Sequence, residues 1–478
     1  MIDFEQVVAR LRGLPKKKLV ATIQKSTGGD YRSTVAPRPT FDSPQASEID
    51  MGQLEETLAL KREADSKGMD LKITGRIGSG GMGLVDSAEQ LSLGREVAIK
   101  RLRPSCRNDH HVEALHREAQ LIAKLEHPNI VPVHRLGIDD LGLPVMVMKH
   151  VRGMTWATLI QTPNHTYYER ITGSPLVWHL NILCQVCRAA EYAHSRSIIH
   201  RDIKSDNVMI GEFGEVYLMD WGIAVPLDEK GGYRDPNFAG TPCFAAPEMF
   251  DSRVPVTPLS DVYLLGALLH EILTREPLHP ANELGDILVQ ALYSKPYDYP
   301  GSVHPEIAAI ANCATQQNPT KRFKSAEEFR QAIERHLNHR HALDLLDSAN
   351  ELLIEFTIAL SQPSRDTHLL HRLGNQCRFA FEQAVQAGPD LPEAQAGVMD
   401  SIEQLARFEI IQGAIEPARH LLKELKDYGA VPGRVAALGA LIDEARTNQE
   451  RAGELATQIQ YKLIERLQET HDTRDKSD

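Results

Sequence analysis

Ile198-Ile199-His200-Arg201-Asp202-Ile203-Lys204-Ser205-Asp206-Asn207-Val208, followed by Val216-Tyr217-Leu218-Met219-Asp220-Trp221-Gly222, is the stretch on which the reading of this chain turns. Short apolar runs, Ile198-Ile199 and Val216 to Leu218, bracket an ordered series of carboxylate, ammonium and amide groups. The plainer alternative for the series is a charged surface turn after a strand. What lies upstream decides between that turn and a reacting centre.

Upstream stands Gly78-Ser79-Gly80-Gly81-Met82-Gly83-Leu84-Val85, a GxGxxGxV between two strand-like runs. Glycines let backbone amides approach a polyphosphate closely, although a flexible hairpin with no ligand has the same pattern. A dinucleotide site needs a helix directly after its glycines. Here Val85 to Ala88 and Glu96 to Lys100 continue as strands, which disfavours an oxidoreductase. In Val97-Ala98-Ile99-Lys100 the period of two puts Ala98 and Lys100 on one face and Val97 and Ile99 on the other. The spacing predicts a helix over 112–125, on which Leu115, Glu118, Ile122 and Leu125 share a face. Glu118 then lies within an apolar stripe, where an unpaired carboxylate costs several kcal/mol. The inward Lys100 is its natural counter-ion; the plainer alternative has Glu118 pointing to solvent.

With these motifs in order, the chain resembles the eukaryotic-like (Hanks-type) serine/threonine protein kinases of bacteria. His200-Arg201-Asp202 with Asn207 is similar to the kinase catalytic loop, and Asp220-Trp221-Gly222 to the metal-binding Asp-Phe-Gly. The likeness continues through Ala246-Pro247-Glu248, Asp261 with Gly266, and Arg322, and covers residues 71 to about 336. It implies an α+β, bilobal kinase fold with a small β-rich lobe and a larger helical lobe. It also implies roles: Asp202 orients the acceptor hydroxyl and takes its proton, and Lys204 neutralises charge on the moving phosphoryl group. Lys100, held by Glu118, clamps the α- and β-phosphates of ATP, while Asn207 and Asp220 hold Mg2+, with Mn2+ as an alternative. Nucleotide contact falls to Ile77, Gly78, Gly80, Gly83, Val85, Ala98, Lys100, the gatekeeper Met148 and the hinge Lys149, His150 and Val151. Lys204 and Gly240-Thr241-Pro242 resemble serine/threonine kinases and not tyrosine kinases. Two departures stand out. Trp221 replaces the usual Phe and Ser205 a common Pro, and neither removes a catalytic group. The competing readings are a pseudokinase scaffold and a small-molecule phosphotransferase of related fold.

Between Asp220 and Glu248 the only hydroxyl side chains are Tyr233 and Thr241. The resemblance makes Thr241 a structural contact of Asp202, which leaves no ordinary Ser or Thr acceptor to pair with Arg201. Asp228, Glu229 or Asp235 is expected to pair with it instead, or Tyr233 to be modified. Ser26, Thr27, Ser33, Thr34, Thr40 and Ser43 are candidate autophosphorylation targets in a stretch rich in Ser, Thr, Pro and Gly that otherwise reads as a tether.

At 478 residues the chain is too long for one ordinary core. Three parts are expected: 1–68, a short amphipathic helix and flexible linker; 69–338, the kinase domain; and 339–478, an all-α region. In the last, Pro389, Pro392 and Pro432-Gly433 break the helical periodicity. Gly413-Ala-Ile-Glu-Pro-Ala418 is weakly similar to the second helix of a tetratricopeptide-like unit, and Cys377 to Ala387 to part of another helix pair. That region is expected to bind a protein partner or only to bury its own stripe. A broken heptad pattern over 436–467 leaves self-association open. The formal charge of -12 argues against a nucleic-acid binder, and Lys16 to Lys18 reads as a solvated run. Scattered cysteines, no signal-peptide layout and no long apolar stretch point to a cytoplasmic protein without membrane insertion. Cys184 and Cys187, one helical turn apart, read as packing residues, and Cys243 as a bystander thiol.

Overall fold

A computed structural model describes residues 31–35, 70–79, 83–139, 141–235, 237–280, 283–362 and 366–474, with side chains to 464. Gly80 and most of the N-terminal segment, including Lys16 to Lys18, Ser26, Thr27, Thr40 and Ser43, lie outside the described residues. The chain divides into two units, Met1–Glu334 and Arg335–Asp478.

The first unit opens with a five-stranded antiparallel sheet built from β1 (Leu71–Ser79), β2 (Gly83–Gln90), β3 (Arg95–Leu102), β4 (Val133–Ile138) and β5 (Pro144–Lys149), ordered β1-β2-β3-β5-β4. The alternation in β3 works as expected. Val97 and Ile99 pack with Ala88 and Val147 on one face. Ala98 is buried on the other, in register with Met148. Helix α1 (Asp109–Ile122) starts and stops earlier than the apolar spacing predicts. Asn108 caps it by accepting from the His111 amide at 3.1 Å. At the other end Leu125 already bonds Ile122 in a turn that precedes Pro128, where a helix is disfavoured.

The helical lobe contains β6 (Gly153–Thr155), α2 (Trp156–Gln161), α3 (Pro175–Ser195), β7 (Ile198–Ile199), β8 (Val208–Gly211), β9 (Val216–Leu218), β10 (Val225–Pro226), α4 (Pro258–Thr274), α5 (Leu284–Tyr293) and α6 (Pro305–Ala314). Strands β6-β8-β9 and β10-β7 form two small sheets that frame the catalytic-loop stretch. On α3, Leu180, Leu183, Cys184, Cys187 and Ala190 are all buried, as their spacing requires. Helix α4 is buried from Ser260 to Ile272 and starts with a capping box between Thr257 and Ser260. At Gly266 an added Cβ would sit 2.5 Å from the Ala314 Cβ, so the close approach of α4 to α6 needs a glycine.

The long helix α7 (Ala326–Ser361) contains the division between the units, and α8 (Thr367–Ala387), α9 (Pro392–Gln412), α10 (Ile415–Asp427) and α11 (Pro432–Arg474) complete the second. Pro392 and Pro432 start helices, and the Cys377 to Ala387 segment pairs with α9 around Phe381, Val398 and Ile402. The Gly413 to Ala418 motif is not one helix. Gly413 takes φ +76 to end α9, and α10 begins at Ile415. No helix among the described residues is long and apolar enough to cross a membrane.

Candidate active site

Strand β3 and helix α1 bring the first charged group together. The Lys100 Nζ donates to Glu118 Oε1 at 2.6 Å and to Asp220 Oδ1 at 3.1 Å. Glu118 is 5% exposed, which rules out the solvent-facing alternative. Burial alone would lower the Lys100 pKa, but the Asp220 and Glu118 charges outweigh it and hold it above the ordinary value. The same lysine charge lowers Asp220, whereas burial raises Glu118 against the pull of Lys100. Asp220 keeps its side chain 47% exposed, so one ionised carboxylate faces outward beside an ammonium.

The second group is built on the loop between β7 and β8. Asn207 Nδ2 donates to the Asp202 carbonyl and to Asp202 Oδ2, both at 2.8 Å. Thr241 Oγ1 donates to Asp202 Oδ1 at 2.6 Å, and Lys204 Nζ to Thr241 Oγ1 at 2.9 Å. Asp202, Lys204, Asn207 and Thr241 are all buried. Past β9, Asp220 takes φ +56, and this loop is itself strained, with φ +70 at Arg201, a position where a non-glycine residue needs outside support. Asp261 at the start of α4 supplies it by accepting from the His200 and Arg201 amides at 2.8 and 2.9 Å. His194 also bonds Asp261 at 2.8 Å; burial pushes that carboxyl up, but these hydrogen bonds leave it below its usual range. The His200 ring joins the two groups. Its Nε2 lies 3.0 Å from the Met219 carbonyl, directly before Asp220, while its Nδ1 accepts from the Asp202 amide at 3.2 Å.

The residues expected on the nucleotide side are distributed along β1, β2, β3 and β5. Gly78 faces Val85 in register, Ile77 is exposed, and Ala98 and Met148 are buried opposite each other. An added Cβ at Gly83 would come within 3.1 Å of the Arg101 carbonyl and 3.7 Å of the Lys100 side chain. The hinge side chains are already committed: Lys149 donates to the Tyr217 hydroxyl, and His150 Nδ1 pairs with Glu96 at 3.2 Å. Lys149 and His150 are therefore left with backbone groups for a ligand.

Around this site the activation segment is fixed by charge. Of the three carboxylates expected to pair with Arg201, Asp235 does so at 2.7 Å, whereas Asp228 caps its own turn through the Lys230 and Gly232 amides. Arg201 also lies over the Tyr233 ring, 5.3 Å from its centroid. Arg322 clasps Glu248 through both guanidinium ends, at 2.7 and 2.9 Å. Trp221 is fully buried and packs edge-on against His200 with ring centroids 4.5 Å apart. Its extra bulk is absorbed in the loop's own support. Burial pushes the thiols of Cys184 and Cys243 up to about 12, which makes both inert.

One group lies where the tether reading does not put it. Residues 31–35 are docked: Val35 is fully buried and forms an antiparallel bridge with Gly240, and Thr34 Oγ1 donates to Asp202 Oδ2 at 2.5 Å. The reading of 1–68 as free linker is corrected for this segment. Backbone pairing to Gly240 and burial of Val35 offset the entropy that a tether keeps. Nothing local marks Thr34 apart from neighbouring hydroxyls, because the contact spans 168 positions.

Two lobes thus present a half-exposed carboxylate, a charged lysine and a buried carboxylate beside a hydroxyl, an arrangement suited to phosphoryl transfer. Residues 71–337, more than half of the chain, match the protein kinase domain family, and the chain belongs to it. It is 35% identical over 271 residues to a probable serine/threonine-protein kinase of Streptomyces coelicolor, covering 54% of this chain and 38% of that one. Serine/threonine-protein kinase PknB of Mycolicibacterium smegmatis is 34% identical over 267 residues, with 53% and 41% covered. PrkC of Bacillus subtilis is 35% identical over 257 residues, with 53% and 38% covered. The chain spans about two fifths of the length of these curated relatives. Membership in the family implies the use of ATP and a divalent metal.

Proposed function

We propose that the chain is a serine/threonine protein kinase that transfers the γ-phosphate of Mg-ATP to protein hydroxyls, its own included, in bacterial signalling. The observation that carries this reading is the state of Asp202. Both of its oxygens accept hydroxyl hydrogen bonds, from Thr241 and Thr34, and Asn207 fixes its orientation. A buried carboxylate so held is placed to orient a Ser or Thr hydroxyl and take its proton. Lys204, bonded to the Thr34 hydroxyl at 3.0 Å, neutralises charge at the same oxygen. Lys100 stays protonated and anchored by Glu118, ready to hold phosphate oxygens.

The donors fit the cofactors. Asp220 and Asn207 offer oxygen, which suits a hard cation such as Mg2+, with Mn2+ as a substitute, and half of the Asp220 side chain is open to a ligand. When bound, the metal and nucleotide supply the phosphoryl group and neutralise its charge. Ile77, Gly78, Gly80, Gly83, Val85, Ala98 and Met148 would line the nucleotide side, and the backbone of Lys149 to Val151 would meet the base. The intact set of Lys100, Glu118, Asp202, Asn207 and Asp220 leaves no observation favouring a pseudokinase. Buried, inert thiols fit a reducing cytoplasm. The second unit would serve a protein partner or self-association; on α11, Leu455, Ile459 and Leu463 are exposed at intervals of one turn.

Phosphate transfer from labelled Mg-ATP to a generic basic protein, beside Lys100→Ala and Asp202→Asn, tests the proposal. Transfer well above both variants is expected. Wild-type transfer equal to theirs would overturn it.

A further inference from the structure

The kinase reading leaves unexplained why Tyr31 to Val35 occupies the cleft. Its contacts follow the order of a bound acceptor peptide. The Thr34 hydroxyl donates to Asp202 Oδ2 and accepts from Lys204 Nζ, so it is engaged from both sides by the two groups that handle a proton and a developing charge. Before it in sequence, the Arg32 carbonyl accepts from Lys204 at 2.9 Å and the Tyr31 carbonyl from the Cys243 thiol at 3.1 Å. After it, Val35 exchanges two backbone hydrogen bonds with Gly240, at 2.7 and 3.0 Å, and is fully buried. A strap that only covered the cleft would need the Val35 bridge and not a hydroxyl on the base.

Glu271 on α4 adds an independent observation. It is 1% exposed and its Oε2 makes no hydrogen bond among the described residues. Burial pushes its carboxyl up to about 7, and the Arg32 charge is among the groups that draw it back down. The charge of Arg32 therefore counts in favour of the docked segment, which the Lys204 bond to the Arg32 carbonyl holds in place.

We propose that Thr34 is a cis-autophosphorylation site, held over Asp202 as substrate by the Arg32 carbonyl on one side and Val35 on the other. This rests on the kinase reading. In the step, a lone pair of Thr34 Oγ1 forms a bond to the γ-phosphorus of ATP as the bond from that phosphorus to its bridging oxygen breaks. The bonding pair leaves with ADP, and the hydroxyl proton passes to Asp202 Oδ2. The product is a phosphothreonine carrying nearly two negative charges beside a carboxylate, so the segment is repelled and the cleft opens to other substrates. Those substrates should share its pattern, an arginine two residues before the hydroxyl and an aliphatic residue just after it.

Dephosphorylated full-length chain is incubated with labelled Mg-ATP across a hundredfold range of chain concentration, with phosphosite mapping and a generic basic protein as a parallel acceptor. Thr34 should be labelled first, at a rate per chain independent of concentration. Transfer to the basic protein with Thr34 unlabelled, or labelled in proportion to concentration, overturns the inference and leaves the kinase reading intact. No transfer to any acceptor overturns both. Val35→Asp keeps the hydroxyl but removes a buried apolar anchor worth about tenfold or more in occupancy. It should lower Thr34 labelling by that factor and speed early transfer to the basic protein; unchanged labelling overturns the seating. Hydrogen exchange without nucleotide gives a readout apart from activity. The Val35 and Gly240 amides should be protected in wild type and exposed in Val35→Asp, and fast exchange in wild type overturns the docked state.

Discussion

Glu248 and Glu271 are two buried glutamates of the same helical lobe, and they have been given opposite surroundings. Glu248, 6% exposed, is clasped at both oxygens by Arg322, which stacks its guanidinium over Tyr263. Glu271, 1% exposed, has no such clasp, and its Oε2 finds no hydrogen-bond partner among the described residues. A charge sealed with its partner supports the fold, while one left short is a place where something else binds. Asp202 stands between the two: it is buried and its oxygens accept from Thr241, Thr34 and Asn207, but its nearest cation, Lys204, is 3.7 Å away and not clasped to it.

The contrast predicts that activity and stability separate cleanly. Asp202→Asn preserves size and loses the proton acceptor, so transfer to a basic protein should fall by about 10³-fold. Its urea unfolding should stay near wild type. A large shift in unfolding would place Asp202 with Glu248 among the supports of the fold. Arg322→Met does the reverse and strands Glu248 without a counter-charge, at a cost of about 3–5 kcal/mol in the unfolding of the first unit. A cost under about 1 kcal/mol would mean that Glu248 is not held by its partner and would dissolve the comparison.

Glu271 sharpens it through pH. Its carboxyl is raised from 4.5 to about 7, chiefly by burial and further by Asp206, with Ser205 and Arg32 pulling the other way. Between those values the folded chain binds the proton that the unfolded chain has lost, so stability falls as pH rises through that window. By pH 8 the loss is about 3 kcal/mol, at about 1.4 kcal/mol per unit. Glu271→Gln should flatten that slope and make the variant the more stable form at pH 8, as read from urea midpoints across the range. A wild-type profile already flat from pH 5 to 8 would show Glu271 to be as well satisfied as Glu248.

How much of this was legible in the sequence follows from what constrains each residue. His200 to Asn207 and Asp220 could be read because phosphoryl transfer restricts residue types at fixed spacing. Lys100 and Glu118 could be read because period two and period 3.6 each turn one polar group inward. Sequence reduced the partner of Arg201 to three carboxylates but could not choose Asp235, since the choice rests on how Asp228 caps its own turn. The limits of α1 were missed because Asn108 and the turn before Pro128 set them, outside the apolar stripe. Gly413 was read inside a helix because small residues fit both a helix and its end. Thr34 was the hardest. Its place is decided by a contact with Asp202 far along the chain, and no local period records such a contact.

The smallest effect tests whether burial, and not the arginine–glutamate pairing itself, separates these sites. In the second unit Arg378 donates to Glu382 at 2.9 Å and to Glu424 at 2.6 Å, joining α8 to α10. It has two carboxylate partners where Arg322 has one, yet its side chain is 27% exposed and theirs 26% and 30%, against 0% for Arg322. Water therefore screens the attraction and also solvates whichever carboxylate is left behind. Arg378→Met should cost only about 1 kcal/mol in the unfolding of the second unit. That cost should shrink in 1 M salt, where charges are screened within about 3 Å. Arg322→Met, sealed from the same ions, should keep its full cost. Equal salt sensitivity at the two arginines would mean that solvent reaches Glu248, and the division between sealed and open carboxylates would fail at its best example.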